Sequence, residues 1–113
     1  MIKSYAPYLS YILDIIKDIE DSIKDIAKND FNKDKKEANI RRIEIVGNAV
    51  KNISEEFKNK HQNINWKKFE NIGYVFANHY FGVDINIIWD IVKIDIPKLK
   101  QEIEEIINKE KHT

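Results

Sequence analysis

Chemistry in this chain concentrates in one short stretch, Asn78-His79-Tyr80, which sets an amide, an imidazole and a phenol side by side. Of the three, only the imidazole titrates near neutral pH, so His79 is the natural candidate for moving a proton. It stands at the end of an aromatic helical pattern, where a histidine also serves to cap the helix or to complement its dipole; both roles remain open on the residues alone. His61 lies in a polar stretch between lysines and His112 in the tail, and both read as solvated. No His-x-x-x-His, Glu-x-x-His or His/Cys cluster occurs, so no metal ligand set is expected. The three glycines form no phosphate loop. The carboxylates alternate with lysines at helical salt-bridge spacing, as on a solvated face. Lys33, Lys35, Lys36, Arg41 and Arg42 are the densest basic run, diluted by Asp34 and Glu37. It could meet phosphates, but a solvated helix start is the simpler reading.

These residues must be positioned by helices. Ser4 with Ala6-Pro7 is a helix start, and Leu9, Ile12, Ile16, Ile19, Ile23 and Ile26 then recur every three or four residues, predicting a helix over about 5–28. Asn29-Asp30-Phe31-Asn32 interrupts it. A second helix from near Asp34 carries Ala38, Ile43, Val46, Ala49, Val50, Ile53 and Phe57 and ends in the polar run 58–63. Gly47 in its middle costs about 1 kcal/mol against alanine, so a close helix crossing is expected there. Trp66, Phe69, Ile72, Val75 and Phe76 mark a third helix over about 66–80. Asp84 reads as the cap of a fourth, and Asp95 with Pro97 as the restart into a fifth, with a frayed tail from Lys109. No stretch alternates as a strand does. The expectation is an all-α antiparallel bundle of four to five helices in a single domain, with an apolar seam wide enough to support a homodimer.

With 113 residues, 42% hydrophobic and 34% charged, the chain can bury one core beneath a well-solvated surface. Its formal charge of zero provides no overall basic field for nucleic acid. It has no cysteine, hence no disulfide or thiolate metal site. No apolar run is long enough to span a membrane and no signal peptide is visible, so a soluble, cytoplasmic protein is expected.

The order of several segments resembles the HepT-like proteins of the HEPN superfamily, small helical toxins paired with minimal nucleotidyltransferase antitoxins. Tyr8-Leu9 with Ile12-Leu13-Asp14-Ile15 is similar to the family's opening segment. Arg42-Ile43-Glu44-Ile45-Val46-Gly47-Asn48-Ala49 is similar to its Leu-Glu-Ile-Ile-Gly-Glu-Ala, with Asn48 replacing the glutamate. Ile64-Asn65-Trp66 resembles Ile-Pro-Trp, with Asn65 replacing the proline. Tyr80-Phe81-Gly82-Val83-Asp84, Ile88-Trp89-Asp90-Ile91-Val92 and Asp95-Ile96-Pro97-Lys98-Leu99 resemble its closing segments.

The resemblance implies a HEPN-like, dimeric fold and metal-independent cleavage of RNA without a cofactor. A histidine would shuttle a proton to or from the ribose hydroxyl or leaving oxygen, and an arginine would stabilise charge on the phosphate. The family motif is Arg-x-x-x-x-His-x-Tyr. Anchored at Tyr80, it places Asn78 at the histidine and Gly73 at the arginine, so two of three residues depart from it. Tyr80 is implied as the acceptor of AMP from the antitoxin. His79 is the neighbouring stand-in for the histidine, turned about 100° from Asn78 on an ideal helix. A cation would have to come from Arg41, Arg42 or a lysine of a partner copy.

Overall fold

In a computed structural model, residues 6–79 and 82–111 are described, without the side chains of Ala6, His79 and Lys111. The described residues are helical and contain no strand: α1 (Ala6–Ile23), α2 (Lys33–Lys51), α3 (Glu55–Lys60), α4 (Trp66–His79), α5 (Ile85–Asp90), a π-helical turn (Ile91–Asp95) and α6 (Ile96–Lys111). Because α5, the π turn and α6 run on without a break, they make one continuous rod. The architecture is the all-α antiparallel bundle that the pattern predicts, built from five rods.

Leu9, Ile12, Ile16, Ile19 and Ile23 are all buried, so the apolar stripe of α1 is its core face. The helix stops at Ile23 rather than near residue 28. Asp25 takes a left-handed backbone with φ 59°, a conformation that aspartate tolerates better than most residues. Ile26 is left only partly buried. A short 3-10 turn over Lys28–Asp30 delivers Phe31 into the core, its ring 5.2 Å from that of Trp89. The serine cap expected at Ser4 lies outside the described residues.

α2 begins where Asn32 Oδ1 accepts a hydrogen bond from the Lys35 amide at 3.0 Å. Ala38, expected in the core, is exposed and Asn39 is buried in its place. The Asn39 amide donates to Lys35 O (2.9 Å) and Ser22 Oγ (3.1 Å), and its oxygen accepts from Arg42 Nη1 (3.3 Å). A buried amide engaged at both ends costs little and ties α1 to α2. α2 ends at Lys51 rather than continuing through Phe57. Ile53 stays buried and keeps the apolar spacing, which hides the break. Ser54 Oγ then accepts from the Phe57 amide at 3.2 Å and starts α3, with Glu55 and Glu56 in its first turn.

The polar run expected to be solvated is partly buried. Lys58 is only 5% exposed; its ammonium stands 3.4 Å from Glu70 and 3.7 Å from Glu55, which fixes α3 against the first turns of α4. His61 is also withdrawn from solvent, its ring 4.5 Å from that of Phe57 and its carbonyl accepting from Trp66 Nε1 at 3.0 Å. His61 Nε2 is 3.7 Å from Glu110 and has no hydrogen-bond partner among the described residues. Burial lowers the His61 pKa and outweighs the Glu110 carboxylate, which acts the other way.

α2 packs along α4 more extensively than any other pair of elements. At their crossing two glycines meet: a Cβ at Gly47 would stand 2.8 Å from Gly73 Cα and 2.8 Å from Phe69 O, and one at Gly73 would stand 3.0 Å from Gly47 Cα. The close approach expected at Gly47 is therefore present, with Gly73 as its counterpart.

The predicted restart at Asp95-Pro97 is no break. The wider π turn preceding Pro97 relieves the clash and the missing amide that proline imposes on an α-helix. Val92, Ile96, Leu99 and Ile103 are buried along this run, and α6 remains helical to Lys111 rather than fraying at Lys109. Lys68–Asp95 (2.7 Å) ties the π turn to α4, and Lys100–Glu20 (3.0 Å) ties α6 to α1. Pairs such as Lys17–Asp21 and Lys33–Glu37 lie on solvated helix faces, as their spacing indicates.

Gly47→Ala should lower stability by about 1–3 kcal/mol, since backbone on both sides of the new methyl leaves it no room; a denaturation midpoint equal to or above that of the unsubstituted chain would refute the crossing. The folded state favours neutral His61, so its pKa lies below the ordinary 6.5. As pH falls through about 6.5 the unfolded chain takes up the proton first, and stability drops until the folded-state pKa is reached. Denaturation midpoints should fall as the pH is lowered from neutrality into this range, and His61→Gln should shrink that dependence; an undiminished slope in the variant would assign it elsewhere.

Candidate functional site

The outer face of α4 is set by its inner one. Trp66, Phe69, Gly73 and Phe76 are buried, so Lys67, Asn71, Tyr74 and Asn78, at steps of four, three and four, share the exposed face. Asn78 Nδ2 donates to Tyr74 O at 2.8 Å, which holds the amide against its own helix and leaves its oxygen outward. His79 is the last residue of α4, and its side chain is not among those described. Tyr80 and Phe81 lie outside the described residues. Beyond them, Asp84 Oδ1 accepts from the Asn86 amide at 2.7 Å to cap α5, as its position predicts.

Gly73, aligned with the motif arginine, is on the buried side of α4 against the backbone of α2. A side chain there starts at the helix crossing, so the α2 backbone at Gly47 would have to give by a few tenths of an ångström to admit it. Glycine at this position therefore has a packing role as well as being a departure from the motif.

The two arginines of α2 differ. Arg42 donates to buried Asn39, whereas Arg41 is exposed. Arg41 comes six residues before Gly47, and Asn78 five after Gly73. On antiparallel helices meeting at those glycines, both lie roughly 7–9 Å beyond the crossing, toward the same end of the bundle. Much of the remaining basic run is occupied: Lys33 pairs with Glu37 and Lys35 Nζ donates to Ser22 O.

Beside the α4–α5 joint is an apolar groove of about 540 Å³ lined by Ile72, Val75, Phe76, Val83, Ile87 and Ile91. Ile87 is 53% exposed, and Tyr74, on the outer face of α4, is 69% exposed. Val75, expected in the core from its helical spacing, is exposed instead, and Tyr74 carries no sequence signal of its own. Their orientation was nonetheless available: once Gly73 faces inward, the next two residues of a helix turn about 100° and 200° away from it. Among the described residues no group of three or more His, Cys, Asp or Glu could hold a metal ion. No helix among them is long and apolar enough to cross a membrane.

The family profile described as Ribonuclease HepT-like matches residues 12–106, from Ile12 in α1 to Ile106, the last buried residue of α6. A Methanocaldococcus jannaschii protein named as a gamma-glutamylcyclotransferase and candidate RNase is 45% identical over 109 residues, covering 95% of this chain. The chain spans about half the length of that relative, 49%. A candidate RNase of Caldanaerobacter subterraneus is 38% identical over 111 residues, covering 96% of this chain and 99% of the relative. A Thermococcus cleftensis protein named as a probable ribonuclease HepT is 40% identical over 108 residues, covering 94% and 98%. No solved structure gives a significant match. With the profile and full-length relatives in agreement, the chain belongs to the HepT-like ribonuclease family.

Proposed function

We propose that this chain acts on RNA as the toxin of a toxin–antitoxin pair, a metal-independent ribonuclease in class, and that AMP transfer to Tyr80 by a minimal nucleotidyltransferase neutralises it. The observation that carries this reading is the family match across residues 12–106, together with an unbroken Tyr80-Phe81-Gly82-Val83-Asp84 segment. In this reading the whole chain, 1–113, is one HepT-like domain working in the cytoplasm as a homodimer. A second copy covering the groove at Val75 and Ile87 would bring two α4 ends together.

At that site the ribose 2′-hydroxyl attacks the adjacent phosphate. His79 is the group proposed to carry the proton from the hydroxyl or to the leaving oxygen. The Asn78 amide oxygen hydrogen-bonds but does not titrate in this range, so its part is positioning. With glycine in place of the motif arginine at position 73, Arg41 is the cation proposed for the phosphate, and Arg42 stays with Asn39. An AMP on Tyr80 adds bulk and negative charge beside these groups and would block RNA.

A second reading is favoured by one specific observation, the seating of Gly73 in the helix crossing. The chain would then be a catalytically degenerate module, still the partner and substrate of the nucleotidyltransferase but without turnover of RNA.

The purified, unmodified chain should cleave single-stranded RNA in the presence of a metal chelator, and His79→Ala should abolish that cleavage. A folded native chain inert toward several RNA classes would remove the first reading and leave the second. With a nucleotidyltransferase and ATP, intact-protein mass should show one AMP adduct that Tyr80→Phe eliminates; an adduct retained in that variant would place the modification elsewhere.

A further inference from the structure

A second concavity, of about 310 Å³, lies between the start of α1 and the C-terminal half of α2, lined by Tyr8, Tyr11, Ile45, Asn48, Ala49 and Asn52. The proposed cleavage and modification chemistry does not use it. Its residues follow from the helix phases. Leu9 and Ile12 are buried, so Tyr8 and Tyr11, one turn apart, fall on the flank of α1, where they are 39% and 49% exposed. Asn48 on α2 and Asn52, which caps the C-terminus of that helix, are also one turn apart. Asn52 Nδ2 donates to Asn48 O at 2.9 Å, which fixes the second amide. No hydrogen bond within the described residues engages the Asn48 amide itself. Ala49, buried, and Ile45, half-buried, supply an apolar floor.

Two aromatic rings, two primary amides and an apolar floor match the chemistry of an unpaired nucleobase. A base offers a flat π face that stacks on tyrosine, and an edge on which donors alternate with acceptors. A carboxamide carries one acceptor and two donors and can meet such an edge with both. The cleft is too small for a helix, which is about 10 Å across. Arg41, Ile45, Asn48 and Asn52 recur at steps of four, three and four, so the cleft and the exposed arginine share the outward face of α2. Asn48 lies roughly 10 Å along the helix from Arg41, a span that one RNA strand can cover in two nucleotides.

We propose that the cleft of Tyr8, Tyr11, Asn48 and Asn52 holds one unpaired base of single-stranded RNA, upstream or downstream of the phosphate met by Arg41. The inference rests on the reading of this chain as an RNA-acting protein and adds to it a base subsite outside the family motif. A second copy of the chain is the competing occupant. The amide lining favours a base, because a carboxamide pairs with the alternating donors and acceptors of a base edge, whereas the exposed aliphatic side chains Val75, Ile87 and Ile94 stand on other elements, α4, α5 and the π turn.

The test is fluorescence anisotropy with a labelled single-stranded RNA, run beside light-scattering mass and thermal melting. Tyr11→Ala should weaken binding about tenfold, the loss expected for one stacked base, while Tyr11→Phe should bind as the native chain does. Asn48→Leu should weaken binding and reduce the difference in affinity between RNAs of different base composition. Both side chains are solvent-accessible, so the melting temperature should hold; if one variant melts early, the other decides. Native affinity in both Tyr11→Ala and Asn48→Leu overturns the base subsite while the RNA-acting function stands. A fall in mass with unchanged RNA affinity overturns it too, and assigns the cleft to contact between copies. Failure of the native chain to bind any RNA removes the underlying function and the subsite with it.

Discussion

Where α2 and α4 cross, backbone meets backbone, and much of the rest of the bundle is arranged around that contact. Gly47 leaves no space for a single added carbon, and at Gly73 an added carbon would sit only 3.0 Å from the facing backbone. Each glycine weakens its own helix by about 1 kcal/mol relative to alanine, and the close packing of the two most extensively paired elements offsets that cost. The contact also fixes rotation. With Gly73 inward, Phe69 and Phe76 enter the core while Tyr74, Val75 and Asn78 turn out to solvent. With Gly47 inward, Arg41 and Asn48 turn outward on α2, and Asn39 turns toward α1.

That rotation decides what chemistry the surface can present. The family motif asks for an arginine one and a half turns before the histidine position, and in this chain that place is occupied by the crossing itself. In the proposed site the cation comes from α2, where Arg41 is exposed and Arg42 is held by Asn39. What remains on the outer faces is a set of hydrogen-bonding and stacking groups rather than a strong electrostatic field, consistent with the zero formal charge. Such a surface suits recognition of unpaired bases more than tight, salt-sensitive grip on phosphates.

The helical stripes of α1, α4 and α6 were legible in the sequence because their apolar residues recur at a helix period and, Val75 apart, end in buried or half-buried positions. The crossing was legible at Gly47 but its partner was not, since a glycine aligned with a motif arginine reads as a lost residue rather than a packing one. The break after Lys51 was concealed by Ile53, which keeps the apolar rhythm through a non-helical turn. The run-on from α5 to α6 was concealed for the opposite reason: Pro97 signals a stop, and a π turn absorbs it. His61 reads as solvated among lysines, yet it packs on Phe57 one helical turn before it and stands 3.7 Å from Glu110 of α6, a tertiary contact that no local pattern carries. Of the proposed site, Asn78, Arg41 and Gly73 have defined surroundings, whereas Tyr80 is located by its sequence segment alone.

The most direct measurement is on Gly73→Arg, which would write the motif arginine into the chain. Near-ultraviolet circular dichroism and thermal melting of the variant, read beside its cleavage of single-stranded RNA in a chelator, separate a packing role for position 73 from a catalytic one. A packing role predicts a loosened bundle: reduced aromatic dichroism, a markedly lower melting temperature and no gain in cleavage. A variant that melts like the native chain and cleaves RNA faster would contradict it, and would show that position 73 belongs to the active site rather than to the crossing.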